Sequence, residues 1–271
     1  MSVTALDLPA PPAADVAPAC LRCGYSLRGL GDDAACPECG LPARHSLVRG
    51  RELRHAPPPW LRALSAGTWL VLGVLAGSPL LFQLLGVFVP LVSFQLVVIV
   101  FSLLRAAEAA VLAAGVWLLT RPLGPFAPPA PVTRWPARAV ALVLFAQEVA
   151  AFIPVGWVLR LRMPSYTVYF WLLLGVLLAL HLRRLAQRLP NPRLGKLSAA
   201  TAAGFAAAGI VAGVDEALDL TPRAGLEITA ASLGFVAYLL MLYVLLRTAA
   251  GLWRARRESV AAWGGNGWGG K

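Results

Sequence analysis

Residues 91–119 read LVSFQLVVIVFSLLRAAEAAVLAAGVWLL, an apolar run whose charged residues are Arg105 and Glu108. The run is too long for a buried strand or for an ordinary helix of a soluble core. At about 1.5 Å per residue it reaches across the ~30 Å hydrocarbon core of a bilayer. The stretch therefore predicts a membrane-spanning helix.

The rest of the chain has the same character. Its 271 residues are 58% hydrophobic and 14% charged, with a mean hydropathy of +0.69, whereas a soluble domain carries roughly a quarter charged residues. These values exclude a soluble protein and predict an all-α polytopic membrane protein with about six transmembrane helices. The predicted spans are Leu61–Leu85, Leu91–Leu119, Ala139–Leu159, Tyr166–Leu182, Leu197–Val214 and Leu226–Leu246. The fifth is built from Ala and Gly and has the weakest hydropathy, so five spans is the alternative count.

The charged residues between the spans predict an orientation. Every second connection is basic, and the basic residues are Arg121, Arg134 and Arg138, then Arg183, Arg184, Arg188, Arg193 and Lys196, then Arg247, Arg254, Arg256, Arg257 and Lys271. The intervening connections are uncharged, weakly basic or acidic. This alternation follows the positive-inside rule for an inner-membrane protein with cytoplasmic N- and C-termini. It requires an even number of spans, which favours six over five.

The chain divides into five predicted parts. Residues 1–19 form a disordered Ala/Pro-rich lead, and residues 20–41 form a cysteine-rich module. A basic linker covers residues 42–60 and ends at a tri-proline, which marks a boundary because proline cannot lie in a helix interior. The six-helix transmembrane domain covers residues 61–246. Residues 247–271 form a basic, Gly-rich cytoplasmic tail.

The cysteine module predicts a metal site. Cys20 and Cys23, and then Cys36 and Cys39, form two C-x-x-C-G knuckles. A tetrahedral metal needs four soft donors at about 2.3 Å, and each knuckle delivers two of them. The alternative is a pair of disulfides, which a cytoplasmic module would rarely keep. Zinc is preferred over iron, and four protein ligands leave no open position, so the predicted zinc is structural. Because so short a module cannot build a stabilising core, the metal should supply its folding free energy.

The sequence around the knuckles also resembles a known pattern. Residues 20–30 and 36–40 match C-x-x-C-G-Y-x-L-R-G-L followed by C-P-E-C-G. This string resembles the N-terminal zinc ribbon of uncharacterised bacterial multi-pass membrane proteins. The resemblance implies a membrane-tethered zinc ribbon and brings no known reaction with it. The knuckles are also similar to those of rubredoxin, but rubredoxin's are much further apart, which disfavours iron here.

The charge of the ribbon predicts its type of partner. Its charged residues are Arg22 and Arg28 against Asp32, Asp33 and Glu38. Four thiolates on Zn²⁺ add about two further negative charges. The module therefore lacks the basic face that nucleic acid requires, and a protein contact is the better hypothesis. Tyr25, Leu27 and Leu30 are the candidate contact residues. The alternative is that these three side chains cover the ribbon's own small core.

Three ionisable residues fall inside the predicted spans, namely Arg105, Glu108 and Glu148. A lone charge at mid-membrane costs at least ~2.5–3.5 kcal/mol, so these groups should pair inside the helix bundle. Two interpretations remain open. The cluster is either an ion relay or substrate anchor of a small transporter or channel, or it holds two spans together as a structural pair.

The fifth predicted span carries small residues at helical spacing. They are Ala200, Gly204, Ala208 and Ala212 at four-residue intervals, with Gly209 and Gly213 beside them. Such a stripe lets two helices approach closely, so it predicts a packing surface. Its partner is either another helix of the chain or a second copy in a homo-oligomer. No H-E-x-x-H, G-x-S-x-G or P-loop motif occurs in the sequence, and we expect a protein that is not an enzyme.

Overall fold

The structure is a computed structural model, and it describes residues 19–20, 23–31, 33–43, 46, 53, 56–88, 93–122, 133–150, 164–189, 191–218 and 224–264. The chain forms two compact units, Met1–Arg49 and Gly50–Lys271. The boundary between the units falls inside the predicted linker. Each unit is described by itself.

The second unit is built from helices. They are α1 (Pro58–Phe88), α2 (Phe94–Leu119), α3 (Arg134–Ala150), α4 (Pro164–Ala186), α5 (Pro192–Leu218) and α6 (Ala224–Gly264). Across the residues that the structure covers, no strand longer than an isolated bridge occurs. The prediction of an all-α membrane protein with an N-terminal four-cysteine module is therefore confirmed.

Five of these helices are long and apolar enough to cross a membrane. The qualifying segments are Pro58–Val87, Gln95–Leu119, Thr167–Ala186, Arg193–Val214 and Glu227–Ala261. Helix α3 is the exception, since its 17 residues are short and it opens on arginine. It corresponds to the third predicted span, but it begins at Arg134 rather than at Ala139. The last part of that span, from residue 151, lies outside the described residues.

The ends of two helices differ from the sequence prediction. Helix α1 begins at Pro58, so Pro58 and Pro59 occupy the first turn, where a missing N–H removes no helical hydrogen bond. Helix α6 continues to Gly264, well beyond the predicted end at Leu246. Its extension is packed: Leu252 is fully buried, and Ser259 Oγ donates a hydrogen bond to Ala56 O at 2.6 Å. Much of the predicted tail is thus an ordered part of the helical unit.

The six helices pack as a closed ring. Each helix packs against the next one along the chain, and α6 returns to pack against α1. Helix α6 also contacts α4 across the ring. This arrangement places one face of every helix toward a common centre, and that centre contains the intramembrane site described below.

Glycines allow a close crossing of α1 and α2. A Cβ added at Gly67 would lie 2.5 Å from Leu119 N and 2.7 Å from Gly115 O. A Cβ added at Gly115 would lie 3.0 Å from a Val71 methyl carbon. The two backbones touch there because neither glycine has a side chain, which is how small residues bring membrane helices together.

The small-residue stripe of α5 faces neighbours in the same chain. A Cβ at Gly204 would lie 3.0 Å from Ala237 Cβ of α6, and Ala208 lies against Gly234 of the same helix. A Cβ at Gly209 would meet Leu172 of α4 at 3.7 Å.

The other members of the stripe have different surroundings. Ala200 is exposed and Ala212 is half-buried, and the space around the Gly213 Cβ position is open. The middle of the stripe therefore packs on α6 within the chain.

Candidate metal centre and intramembrane cavity

The four cysteines of the first unit form a single cluster. Their Sγ atoms all lie within 4.8 Å of one another. The Sγ–Sγ distance is 3.6 Å for Cys20 and Cys39 and also for Cys23 and Cys36. None of the four forms a disulfide, so the arrangement is not the disulfide alternative. Four sulfurs placed tetrahedrally at about 2.3 Å from one ion would be about 3.8 Å apart, close to these distances.

The two knuckles that position the thiols have the same backbone structure. In the first, Gly24 N donates to Cys20 O at 2.9 Å and Cys20 N donates to Tyr25 O at 2.7 Å. In the second, Gly40 N donates to Cys36 O and Cys36 N donates to Leu41 O, both at 2.8 Å.

The bridges and glycines of the two knuckles match as well. Isolated antiparallel bridges flank both of them, between Ala19 and Ser26 and between Ala35 and Pro42. Gly24 has φ 80° and Gly40 has φ 71°, a conformation that favours glycine. The C-x-x-C-G pattern therefore encodes one turn that is used twice.

Each turn also directs a backbone N–H at a sulfur. The Tyr25 and Leu41 amides form hydrogen bonds to the thiols of Cys23 and Cys39. Burial raises the pKa of the Cys39 thiol to about 12, the Leu41 amide opposes the rise, and the neighbouring thiols add to it. Two of the four thiols, those of Cys20 and Cys36, belong to buried residues. This donor set fits a divalent soft-ligand metal, on which all four thiols would release their protons.

The ribbon's apolar residues are divided between its interior and its surface. Leu27 is 1% exposed and packs inside the module, as do Leu41 and Ala43. Tyr25 is 41% exposed, and Leu30 is half-buried. Leu27 therefore belongs to the ribbon's own core, while Tyr25 remains available on its surface.

The intramembrane charges meet in the second unit. Arg105 Nε of α2 lies 3.9 Å from Glu148 Oε1 of α3, and the two side chains are 41% and 12% exposed. The Arg105 guanidinium also lies 5.4 Å from the centre of the Phe82 ring. Glu108 is contacted from α1, since Ser78 Oγ donates a hydrogen bond to its Oε2 at 3.1 Å. Charges on α2 are thus linked to both neighbouring helices.

These charges line a cavity of about 360 Å³ at the centre of the ring. All six helices contribute to its wall, with Leu75, Arg105, Glu148, Trp171, Phe205 and Tyr238 as one member from each. Glu108 and Ser78 line it as well. The remaining wall is almost entirely aliphatic and aromatic. The charged residues therefore meet around a space and not in a dry seam between two helices.

A backbone defect in α1 opens onto the same cavity. Pro79 lies inside the helix and has no N–H, so the Leu75 carbonyl loses its helical donor. The Tyr238 hydroxyl of α6 donates a hydrogen bond to Leu75 O instead. An unpaired carbonyl in hydrocarbon is costly, so this hydrogen bond stabilises α1 at Pro79 and also connects α1 to α6. The pair was not predicted from the sequence, although a proline inside an apolar span indicates a backbone carbonyl without its helical donor.

The C-terminal end of α2 is capped by other helices. Arg138 of α3 donates from Nε to Thr120 Oγ1 at 2.8 Å, and from one terminal nitrogen to Trp117 O and Thr120 O, both at 3.2 Å. Its guanidinium lies 4.0 Å from the centre of the Trp117 ring. His181 Nε2 of α4 lies 3.2 Å from Leu119 O, and because a carbonyl only accepts, this nitrogen carries the proton.

This cap satisfies carbonyls that a helix end leaves without partners. Trp60 of α1 extends the cap by one residue, since its indole N–H donates to Arg121 O at 3.0 Å. The sequence prediction placed Arg138 in a connecting loop as one of several orienting charges. It is instead 5% exposed and belongs to α3. No local sequence signal identifies this role, because the acceptors belong to a different helix.

Comparison of the chain with models of protein families, with curated proteins and with solved structures finds no match.

Proposed function

We propose that this protein is a non-enzymatic, six-span inner-membrane protein that displays a structural zinc ribbon to the cytoplasm for protein contact or assembly. The observation that carries the proposal is the four-thiol cluster joined in sequence to apolar helices. A closed four-cysteine site holds its metal without an open coordination position, so it organises a surface and does not perform catalysis.

Zinc is the proposed occupant because of the ligands. Cys20, Cys23, Cys36 and Cys39 offer four thiolates at nearly tetrahedral spacing, an arrangement that suits zinc. The surrounding amide N–H groups support thiolate charge in the manner of outer-shell partners of metal sites. The resemblance to the N-terminal ribbons of bacterial multi-pass membrane proteins supports the same assignment.

The proposed orientation rests on the alternation of basic connections. The basic ends of α4 and α6 and the connection between α2 and α3 would lie in the cytoplasm, together with both termini. The orientation is tested by tags at the two termini of the full chain, with protease added to intact spheroplasts and to lysed ones. Protection of both tags until lysis is expected. Digestion of either tag in intact spheroplasts would contradict the orientation.

Protein, and not nucleic acid, is the proposed partner of the ribbon. Among the ribbon residues that the structure describes, Arg28 faces solvent together with Asp33 and Glu38, so the surface is not basic. With the metal and four thiolates included, the net charge is negative. The exposed Tyr25 supplies an aromatic contact of the kind that is enriched in protein interfaces.

Crosslinking in cells tests this role. The full chain is compared with a chain lacking residues 20–41 and with a Tyr25→Ala chain that keeps all four thiols. Loss of specific crosslinked partners in the deletion, and weakening of the same partners in Tyr25→Ala, is expected. An unchanged set of partners after deletion would contradict a docking role for the ribbon.

A second candidate function is a small transporter or channel that uses Arg105, Glu108 and Glu148. The observation in its favour is that all three side chains line the central cavity. Intramembrane charges beside a cavity commonly mark ion or substrate pathways. Glu148→Gln should abolish solute flux into proteoliposomes while leaving expression intact. Loss of expression without a flux defect in the protein that remains would favour a purely structural pair.

A further inference from the structure

We propose that the central cavity binds a lipophilic organic cation, with Glu108 as the group that faces the ligand's positive charge. The inference rests on the second candidate function, because it assigns a ligand class to the same cavity. It concerns binding and does not require that the ligand be transported.

The size and walls of the cavity suit such a ligand. Its volume of about 360 Å³ lies within the roughly 300–1,000 Å³ of small-molecule sites. Leu112, Leu174 and Leu178 are among the residues of its aliphatic wall. A ligand with an apolar body would displace little bound water there, whereas a hydrated inorganic ion would find few polar groups to replace its water shell.

The charges of the cavity select a cation. The formal charges of Arg105, Glu108 and Glu148 sum to one negative charge. Arg105 is paired with Glu148 at 3.9 Å. Glu108 receives a neutral hydrogen bond from Ser78, and within the described part of the chain no cationic group lies at ion-pair distance from it. A carboxylate in an apolar cavity without a cationic partner is the group that a bound cation would neutralise.

Aromatic rings complete the recognition. Trp171 of α4, Phe205 of α5 and Tyr238 of α6 all line the cavity. The Tyr238 hydroxyl is already committed to Leu75 O, so this residue offers a ligand its ring. Aromatic ring faces attract a desolvated cation through their quadrupole. A carboxylate with aromatic walls favours a quaternary phosphonium or ammonium ion over a neutral amphiphile.

Equilibrium binding to the purified full chain tests the inference. The probe is tetraphenylphosphonium, titrated calorimetrically into detergent-solubilised protein. The neutral analogue triphenylphosphine oxide is titrated in parallel. One phosphonium site per chain and at least about tenfold weaker binding of the neutral analogue are expected. Absence of saturable phosphonium binding, or equal affinity for both compounds, would overturn the inference.

Variants assign the site. Glu108→Gln should weaken phosphonium binding by about tenfold or more, whereas Glu227→Gln, an exposed carboxylate of α6 outside the cavity wall, should leave it unchanged. If Glu108→Gln does not elute as a folded protein, Glu108→Asp and Trp171→Leu replace it, each with an expected loss of several-fold. Wild-type affinity in the folded cavity variants would overturn the assignment.

The outcome is separable from that of the transport hypothesis. Phosphonium binding without flux in proteoliposomes would support the proposed binding site and contradict the transport hypothesis. Flux of another solute without phosphonium binding would support the transport hypothesis and contradict the proposed ligand class.

Discussion

At the scale of single residues, two polar side chains of the helical unit donate hydrogen bonds to backbone carbonyls that the helices leave without a donor. Tyr238 supplies the donor that Pro79 lacks, and Arg138 supplies donors to the end of α2. Neither contact joins two ionic groups. Their value comes from the cost of an unpaired carbonyl in an apolar surrounding, which exceeds the net gain from an added hydrogen bond.

The Tyr238 contact predicts a double-mutant result. Tyr238→Phe should lower the free energy of unfolding by about 1–2 kcal/mol because Leu75 O loses its donor. In a Pro79→Ala background the backbone N–H at position 79 can donate to Leu75 O. Tyr238→Phe should then lower the free energy of unfolding by much less. The stabilities of the wild type, the two single variants and the double variant are compared by thermal unfolding in detergent. Equal losses in both backgrounds would show that the hydroxyl acts in another way.

The Arg138 cap predicts that alanine substitutions at Arg138 and at Arg134 have different effects on stability. Arg138→Ala should destabilise the helical unit by about 2–3 kcal/mol, since three hydrogen bonds from a charged group are lost at a buried helix end. Arg134 lies one turn away, and its Nε has no partner among the residues described, so Arg134→Ala serves as the matched control. Similar melting temperatures for the two variants would contradict the capping role.

At the scale of helices, the sequence predicted which segments are helical but not where every helix ends. Apolar length was sufficient to predict α1, α2, α4 and α5. The start of α3 and the extension of α6 were missed because both are rich in arginine and were assigned to loops. Their basic residues lie on helical turns that pack on other helices, and hydropathy cannot distinguish a solvated loop from such a turn.

The close contact between α1 and α2 predicts that substitution of Gly67 destabilises the helical unit. Gly67→Ala would place a Cβ 2.5 Å from the Leu119 backbone, where no flexible side chain can move aside. We expect a loss of about 1–3 kcal/mol from this overpacking. Gly73, on the same helix, has open space around its Cβ position. Gly73→Ala should therefore be neutral or slightly stabilising, and the reverse order in thermal unfolding would contradict the crossing.

At the scale of the whole molecule, the two units differ in what stabilises them. The helical unit buries a core shared by six helices. The ribbon has few buried residues, among them Leu27 and Leu41, so we expect its stability to depend on a metal held by its thiols. The cysteine spacing was enough to predict the cluster of four thiols, because the cysteines are close in sequence. The central cavity could not be predicted, because six distant segments form its wall and only their packing reveals the space.

Metal removal should therefore affect the units separately. A strong zinc chelator should unfold the ribbon if metal binding supplies most of its folding free energy, as it does in other small metal-binding modules. Proteolysis near the N-terminus should increase, while far-ultraviolet circular dichroism, dominated by the six helices, should barely change. Resistance of the ribbon to protease after complete metal removal would show that its fold does not need the ion.

If the four thiols hold one structural zinc, elemental analysis of the full chain, purified in detergent without added metal, should find one zinc ion per chain. That zinc should be lost in Cys36→Ser and retained in Ser46→Ala. A purified chain that holds no zinc, or one whose zinc content is unchanged by Cys36→Ser, would exclude a structural zinc at this site.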